Sequence, residues 1–327
     1  MIAGAPVDAA RVGRDGALRL SFERRGAVTA LTGCRSTLPL QVLAPVALDD
    51  PAAVVSILNP TGGLLGGDRL SIEVDVAARA HAVLTTPSAT RVYRADGAPT
   101  VQTVRLRLGP GAVVEWVPDH TIPFAGSALR QAFDVELDET AALVLVDAFS
   151  AGRIALGEAW RFALLESAIS IRDPGGWLLH DRFVLRGRTG VERAAGGRGA
   201  GAPPAEARLQ AVRAAGGRGA GAPPAEARLQ EDEPAFGGLG FAEAHPYFAS
   251  IAVIGAFDAA RFAAEIQQRV GADTPGASLG AAVLPRRGAL VRCLARNAPA
   301  LVEAVERCWN LARATLLARP PLALRKG

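Results

Sequence analysis

Apolar and polar residues alternate with a period of two through much of the first 190 positions. Leu70, Ile72, Val74 and Val76 are separated by Ser71, Glu73 and Asp75. A period of two places one set on each face of a strand. Val104-Arg105-Leu106-Arg107-Leu108 repeats the pattern, and so do Phe133, Val135 and Leu137 between Asp134, Glu136 and Asp138. Turn residues punctuate these runs. Gly109-Pro110-Gly111 before "AVVEWV" predicts a hairpin, and so does Asp173-Pro174-Gly175-Gly176 between two apolar runs. Short strands with Gly and Pro turns predict packed antiparallel sheets.

The period changes near the C-terminus. Asp258 is placed to cap a helix through "AARFAAEIQQRV", with Gly271 at its end. Asn297 and Pro299 start a second helix, whose stripe is Leu301, Val305, Cys308, Ala312 and Leu316, and Pro320-Pro321 stop it. "AAVL" and "ALVRCLA" between them read as strands. The expected fold is therefore mainly β, of sandwich or stacked-sheet type, with about two helices near the C-terminus.

One segment breaks both periods. "RAAGGRGAGAPPAEARLQ" occurs at 193–210 and again, unchanged, at 213–230. Each copy has one Leu and no aromatic or β-branched residue, so stacked copies would bury almost nothing. The expectation is a duplicated flexible insert, not a solenoid. The predicted organisation is a flexible segment 1–15, a β-rich core 16–190, the insert 191–234, and a β/α part of the same domain at 235–327.

Composition narrows the classes. Half of the 327 residues are apolar, the net charge is +4 and the pI is about 9.5. The basic excess is nearly all Arg, scattered, with Lys326 the single lysine. No basic run with interleaved aromatics marks a nucleic-acid interface. Cys34, Cys293 and Cys308 are far apart, which fits neither a disulfide framework nor a structural zinc site. No secretory leader or membrane-length apolar run is found, so a soluble cytoplasmic protein is expected.

The chemistry is less explicit. "NPTGGLLGGDRL" at 59–70 has the glycine spacing of a phosphate loop in Gly62 and Gly67. Asp68 and Arg69 stand where Lys and Ser or Thr are needed, and a strand follows instead of a helix. A tight turn fits better. His81, His120, His180 and His245 are isolated. Glu115, Asp119 and His120 could form a nitrogen–oxygen metal site if their turn folds back. Arg153 and Glu158 suit an ion pair across a turn. No nucleophile elbow appears. The residues taken alone leave open a β-rich metal-dependent or sugar-acting hydrolase, or a binding module.

Five motifs in order decide more than any one of them. "NPTGGLLGGDRL", "TTPSATRVYR" at 85–94, "GAVVEWVPDHTIPF" at 111–124, "GRIALGEAW" at 152–160 and "DRFVL" at 181–185 together resemble the UreD (UreH) family of urease accessory proteins. The resemblance implies a non-enzymatic nickel-insertion scaffold. It would bind urease apoprotein and, with UreF and the GTPase UreG, support GTP-dependent assembly of the nickel centre. It implies no tightly bound cofactor, only nickel(II) in transit through an internal wet channel, and it allows a dimer within the accessory complex. The motif positions carried over are Asn59, Gly62, Gly63, Gly66, Gly67, Asp68, Thr86, Pro87, Tyr93, Arg94, Glu115, Pro118, Gly152, Arg153, Gly157 and Glu158. Asp68, Glu115, His120 and Glu158 are the candidates to touch the metal. The ending "ARPPLALRKG" and the residue His120 depart from the family pattern.

Overall fold

The computed structural model describes residues 15–45, 48, 50–187 and 245–324. The expected insert at 191–234, and all of the expected N-terminal segment except Asp15, lie outside these described residues. Strands are numbered along the chain. One sheet has seven strands: β1 (Asp15–Arg25), β2 (Val28–Ser36), β5 (Arg69–Val76), β8 (Thr100–Leu108), β11 (Ala128–Leu137), β13 (Leu164–Asp173) and β14 (Gly176–Leu185). The other has ten: β3 (Gln41–Val42), β4 (Ala53–Leu58), β6 (His81–Thr85), β7 (Thr90–Val92), β9 (Val113–Trp116), β10 (Thr121–Pro123), β12 (Ala142–Ser150), β15 (Tyr247–Ile254), β16 (Ala277–Val283) and β17 (Ala289–Ala295).

The expected mainly β, packed-sheet architecture is present, but the strand direction is corrected. From β4 to β13 the longer strands alternate between sheets. Each return to a sheet completes a coil, so neighbouring strands run the same way. The pairs β1–β5–β8–β11–β13 and β4–β6–β9–β12 are parallel. Antiparallel pairs lie at the margins: β1–β2 and β13–β14 in the first sheet, and β3–β4 and β12–β15–β17–β16 in the second. The Asp173–Gly176 turn does make a hairpin. The Gly109–Gly111 turn does not; it carries the chain from β8 across to β9.

Three such crossings stack on one another. Turns 77–80, 109–112 and 138–141 each close with a bond between first and fourth residues, of 3.1, 3.0 and 3.0 Å. Val113 N–H donates to the Ala80 carbonyl and Ala142 N–H to the Ala112 carbonyl, both at 2.9 Å. Each turn ends on a buried alanine, Ala80, Ala112 or Ala141, because the coils leave no room there for a larger side chain.

Burial follows from the layers. The first sheet has one solvated face, which is why β1, β5, β8 and β11 alternate. Its outer face carries charge ladders, such as Arg19–Glu73–Arg105 at 3.2 and 3.6 Å. The inner strands of the second sheet are covered on both faces. Its strand β12 is buried throughout and is apolar except at Asp147 and Ser150. One core cluster fills the gap between sheets, and a second lies under the helices.

The helices form the third layer. Asp258 caps α1 (Ala259–Glu265), accepting from Arg261 N–H at 2.9 Å. Gly271 does not end this helix. It has ordinary right-handed geometry, and the path runs through a wider turn at Ile266–Val270 into α2 (Gly271–Asp273). Thr274 then leaves the helix, its hydroxyl donating to the Val270 carbonyl at 2.8 Å. Asn297 caps α3 (Ala298–Leu317) by accepting from Ala300 N–H at 2.9 Å. Ala318, in the left-handed region, ends it before the two prolines.

Candidate functional site: a groove beside a polar cavity

Four motifs meet at one end of the stacked coils. Asn59 starts the glycine loop by binding its own turn: its amide donates to the Gly63 carbonyl at 2.8 Å, and its oxygen accepts from Thr61 N–H at 3.0 Å. A Cβ on Gly63 would lie 2.6 Å from the Arg91 carbonyl oxygen, so the loop can press against β7 only with glycine there. A Cβ on Gly66 would fall 2.7 Å from Ala95 Cα. Gly62 and Gly67 take positive φ. Asp68 is buried and holds this turn; its Oδ2 accepts from Leu65 N–H at 2.8 Å.

The same end gathers the second and fourth motifs. Tyr93 meets Phe124 edge-on at 5.1 Å between centroids. The Arg153 guanidinium lies 4.1 Å over the Phe124 ring and forks onto Glu158 at 2.7 and 2.5 Å. That guanidinium holds the Glu158 carboxyl below its ordinary pKa. Arg94 pairs with Asp96 at 2.7 Å on the surface, and its stem packs beside Gly126. Gly157 is the left-handed end of a one-turn helix at Ile154–Leu156.

Gly152 has φ 138°, and any Cβ there would overlap the Glu158 carbonyl. Gly152→Ala is therefore expected to lower unfolding free energy by about 3 kcal/mol, from backbone strain plus overpacking. Urea denaturation checks this; a loss within error of zero would show that the loop relaxes freely.

The third motif lines two adjacent spaces. A groove of about 760 Å³ lies between α3, the tail Pro321–Leu324 and the loops carrying Pro87 and His120. An inner cavity of about 70 Å³ lies between the sheets. Pro118, Asp119 and Ala148 line both, so the groove adjoins the cavity through their shared wall. Thr86 fixes that wall, its hydroxyl accepting from Asp119 N–H at 2.9 Å. The His120 ring contacts Tyr247 edge-on at 5.8 Å. Asn59 lies on the cavity at the glycine-loop end.

Gln102, Gln131 and Asp147 line the cavity, and sequence patterning missed them and their polar neighbours. Gln102, Gln131 and Ser167 share one rung of the first sheet; Asp147, Ser250 and Arg292 share one rung of the second. Gln102 donates to Gln131 at 2.9 Å, and Gln131 to Asp147 Oδ1 at 2.7 Å. Ser167 donates to Asp147 Oδ2 at 2.7 Å. Burial pushes the Asp147 carboxyl up to about 7. The Ser167 and Gln131 bonds and Arg292 oppose the rise, while Asp181 adds to it. Trp116 lines the same cavity, and its buried indole N–H has no hydrogen-bond acceptor among the described residues.

Glu115 points the other way along β9. It is fully buried and joins the second sheet to α3. His81 Nε2 lies 2.6 Å from its Oε1, Arg313 Nη1 donates to the same oxygen at 2.5 Å, and the Trp309 indole donates to Oε2. Arg313 also binds Asp50 at 2.5 Å and the Pro320 carbonyl at 2.9 Å, which ties down the tail. Glu115, Asp119 and His120 are thus not brought together. Among the described residues no three His, Cys, Asp or Glu side chains gather as a metal site. The Cys293 thiol is pushed up to about 12 by burial and stays protonated at neutral pH.

A family model described as UreD urease accessory protein matches residues 14–219 and 225–326. The chain belongs to the UreD family of urease accessory proteins. Urease accessory protein UreD of Delftia acidovorans is 38% identical over 184 residues, covering 56% of this chain and 59% of that relative. The Anaeromyxobacter relative is 37% identical over 199 residues, covering 61% and 63%. UreD of Xanthobacter autotrophicus is 34% identical over 219 residues, covering 64% and 75%. The chain thus aligns with about three fifths of the length of the first two curated relatives. Within this UreD-family fold, the glycine motifs shape one end of the coils and the polar row runs inward from it. No helix among the described residues is long and apolar enough to cross a membrane.

Proposed function

We propose that this chain is a scaffold in urease maturation, without a catalytic step of its own, that works in the cytoplasm. It binds urease apoprotein and acts with UreF and the GTPase UreG. Nickel(II) is its cargo, passing from the groove at Asp119 into the cavity at Asp147. The observation that carries this reading is the hydrogen-bonded row Gln102–Gln131–Asp147–Ser167, of which Gln102, Gln131 and Asp147 line a cavity adjoining an open groove.

The donor chemistry suits transit. Carboxylate, amide and hydroxyl oxygens hold nickel(II) more weakly than imidazole or thiolate, so an ion among them stays exchangeable. The hydroxyl of Thr85, donating to the Val117 carbonyl at 2.8 Å, and the side chain of Thr121 continue the oxygen lining toward the groove. Asp68 and Glu158 sit at the glycine end of the coils, where they hold the loops that shape that end. Glu115 holds α3 in place as one wall of the groove.

Co-expression of the urease subunits with UreF and UreG, with and without this chain, tests the function. The expected result is urease with little nickel and little activity when the chain is missing. Full nickel and full activity in its absence would end the proposal.

A further inference from the structure

Strand β2 borders the first sheet and pairs with β1 alone. Thr37 N–H donates to the Ala17 carbonyl at 2.8 Å, so the rungs that exchange hydrogen bonds with β1 are Arg19–Arg35 and Ser21–Gly33. Cys34 and Ser36 alternate with these and turn their N–H and C=O groups away from the sheet. No described residue bonds those groups on that side. The other end of β2 is closed, because Thr29 N–H donates outward to the Pro51 carbonyl at 2.8 Å. Cys34, Arg35 and Ser36 are all exposed. Val28–Ser36 holds no proline and no lysine, the residues that commonly guard such a border.

Charge narrows what the border fits. Arg35 stands across from Arg19, on the face where Glu73 is shared by Arg19 at 3.2 Å and Arg105 at 3.6 Å. Three guanidiniums thus meet one carboxylate, and Arg35 has no ion pair among the described residues. A second copy of this chain would bring the same arginines against these, which disfavours self-pairing.

We propose that the Cys34–Ser36 end of β2 is a docking edge for an acidic, extended segment of a partner protein, which adds to the first sheet as a further strand. Main-chain bonds to Cys34 and Ser36 hold the segment. A carboxylate opposite Arg35 sets its register, and the same charge turns away basic segments. No residue of β2 lines the groove or the cavity, so a segment docked here leaves both open.

The test uses the full chain and a fluorescein-labelled peptide of alternating valine and glutamate, followed by fluorescence anisotropy. Wild type is expected to bind this peptide saturably and to bind a valine–lysine peptide far more weakly. Cys34→Pro removes one outward donor and spares the β1 ladder, which does not use that N–H. It is expected to weaken binding about tenfold, while Cys34→Ser, with its main chain intact, matches wild type. Arg35→Glu is expected to weaken binding and to remove most of its salt dependence. If circular dichroism shows that Cys34→Pro does not fold, Ser36→Pro takes its place. No saturable binding by wild type overturns the docking edge. Equal binding by wild type and the proline variant does so too, since it marks only the attraction of an acidic peptide to a basic protein. Sedimentation that shows a wild-type dimer and a monomeric proline variant assigns the edge to a second copy instead.

Discussion

Glu115→Ala is expected to lower the unfolding free energy by about 3–5 kcal/mol, the range for breaking a buried ion pair from one side. Arg313 is itself buried, and without Glu115 it keeps only Asp50 and the Pro320 carbonyl. The Trp309 indole loses its acceptor, and His81 loses the carboxylate 2.6 Å away. The damage concentrates where α3 and the tail dock on the second sheet. Urea denaturation measures the loss, and limited proteolysis locates it as earlier cleavage between Arg313 and Arg319. A loss below about 1 kcal/mol would mean that water or a neighbouring group replaces the carboxylate.

Asp147→Asn is expected to stabilise the chain at alkaline pH while weakening nickel retention. The sign follows from the raised pKa. In the unfolded chain this carboxyl ionises near its ordinary value of 3.8; in the folded chain it holds its proton to about 7. Its contribution to stability is fully present below pH 3.8 and declines as pH rises toward 7. The unfolded state is then the one that has released the proton. A shift of about three units corresponds to about 4 kcal/mol, lost across that window. Asparagine cannot ionise. Its oxygen can keep the Gln131 bond, and its amide can donate to the Ser167 hydroxyl, which then acts as acceptor. The variant should therefore match wild type near pH 4 and exceed it at pH 8 by up to about 4 kcal/mol. Parallel denaturation curves at the two pH values check this. A constant difference between the proteins at both would show that Asp147 titrates normally.

Much of the fold was legible because inward and outward positions alternate in β5, β8 and β11. Strand direction was not, since alternation is the same for parallel and antiparallel pairing. The signal for direction was a different one. Val76-Ala77-Ala78-Arg79-Ala80, Leu108-Gly109-Pro110-Gly111-Ala112 and Leu137-Asp138-Glu139-Thr140-Ala141 share an apolar residue followed four places later by alanine. This is the repeating turn of the coils. The unchanged copies at 193–210 and 213–230 are the conspicuous repeat, while the coils repeat only in which positions must be small. The motifs located the glycine end and the groove wall, through Gly63, Tyr93, Arg153 and Pro118. They did not locate Asp147, a lone acid among Leu143, Val144, Leu145, Val146 and Phe149, or Gln131, which stands in an inward slot between Leu129 and Phe133. A polar residue in a slot that patterning reserves for apolar ones was the available clue. Reading it required knowing which strands face each other.

The antiparallel margins do more than complete the sheets. A parallel stack has no natural terminus, because its last coil offers the next chain the same ladder of amides and carbonyls that it offered its own. In the first sheet β2 turns back on β1 and β14 on β13, and each reverses the polarity presented outward. A second molecule meeting those borders finds strands of the wrong sense to continue the coil, and the outermost strand β2 ends in Cys34-Arg35-Ser36, with all three residues exposed. The two hairpins therefore close the parallel stack of the first sheet on both sides with strands of the opposite sense.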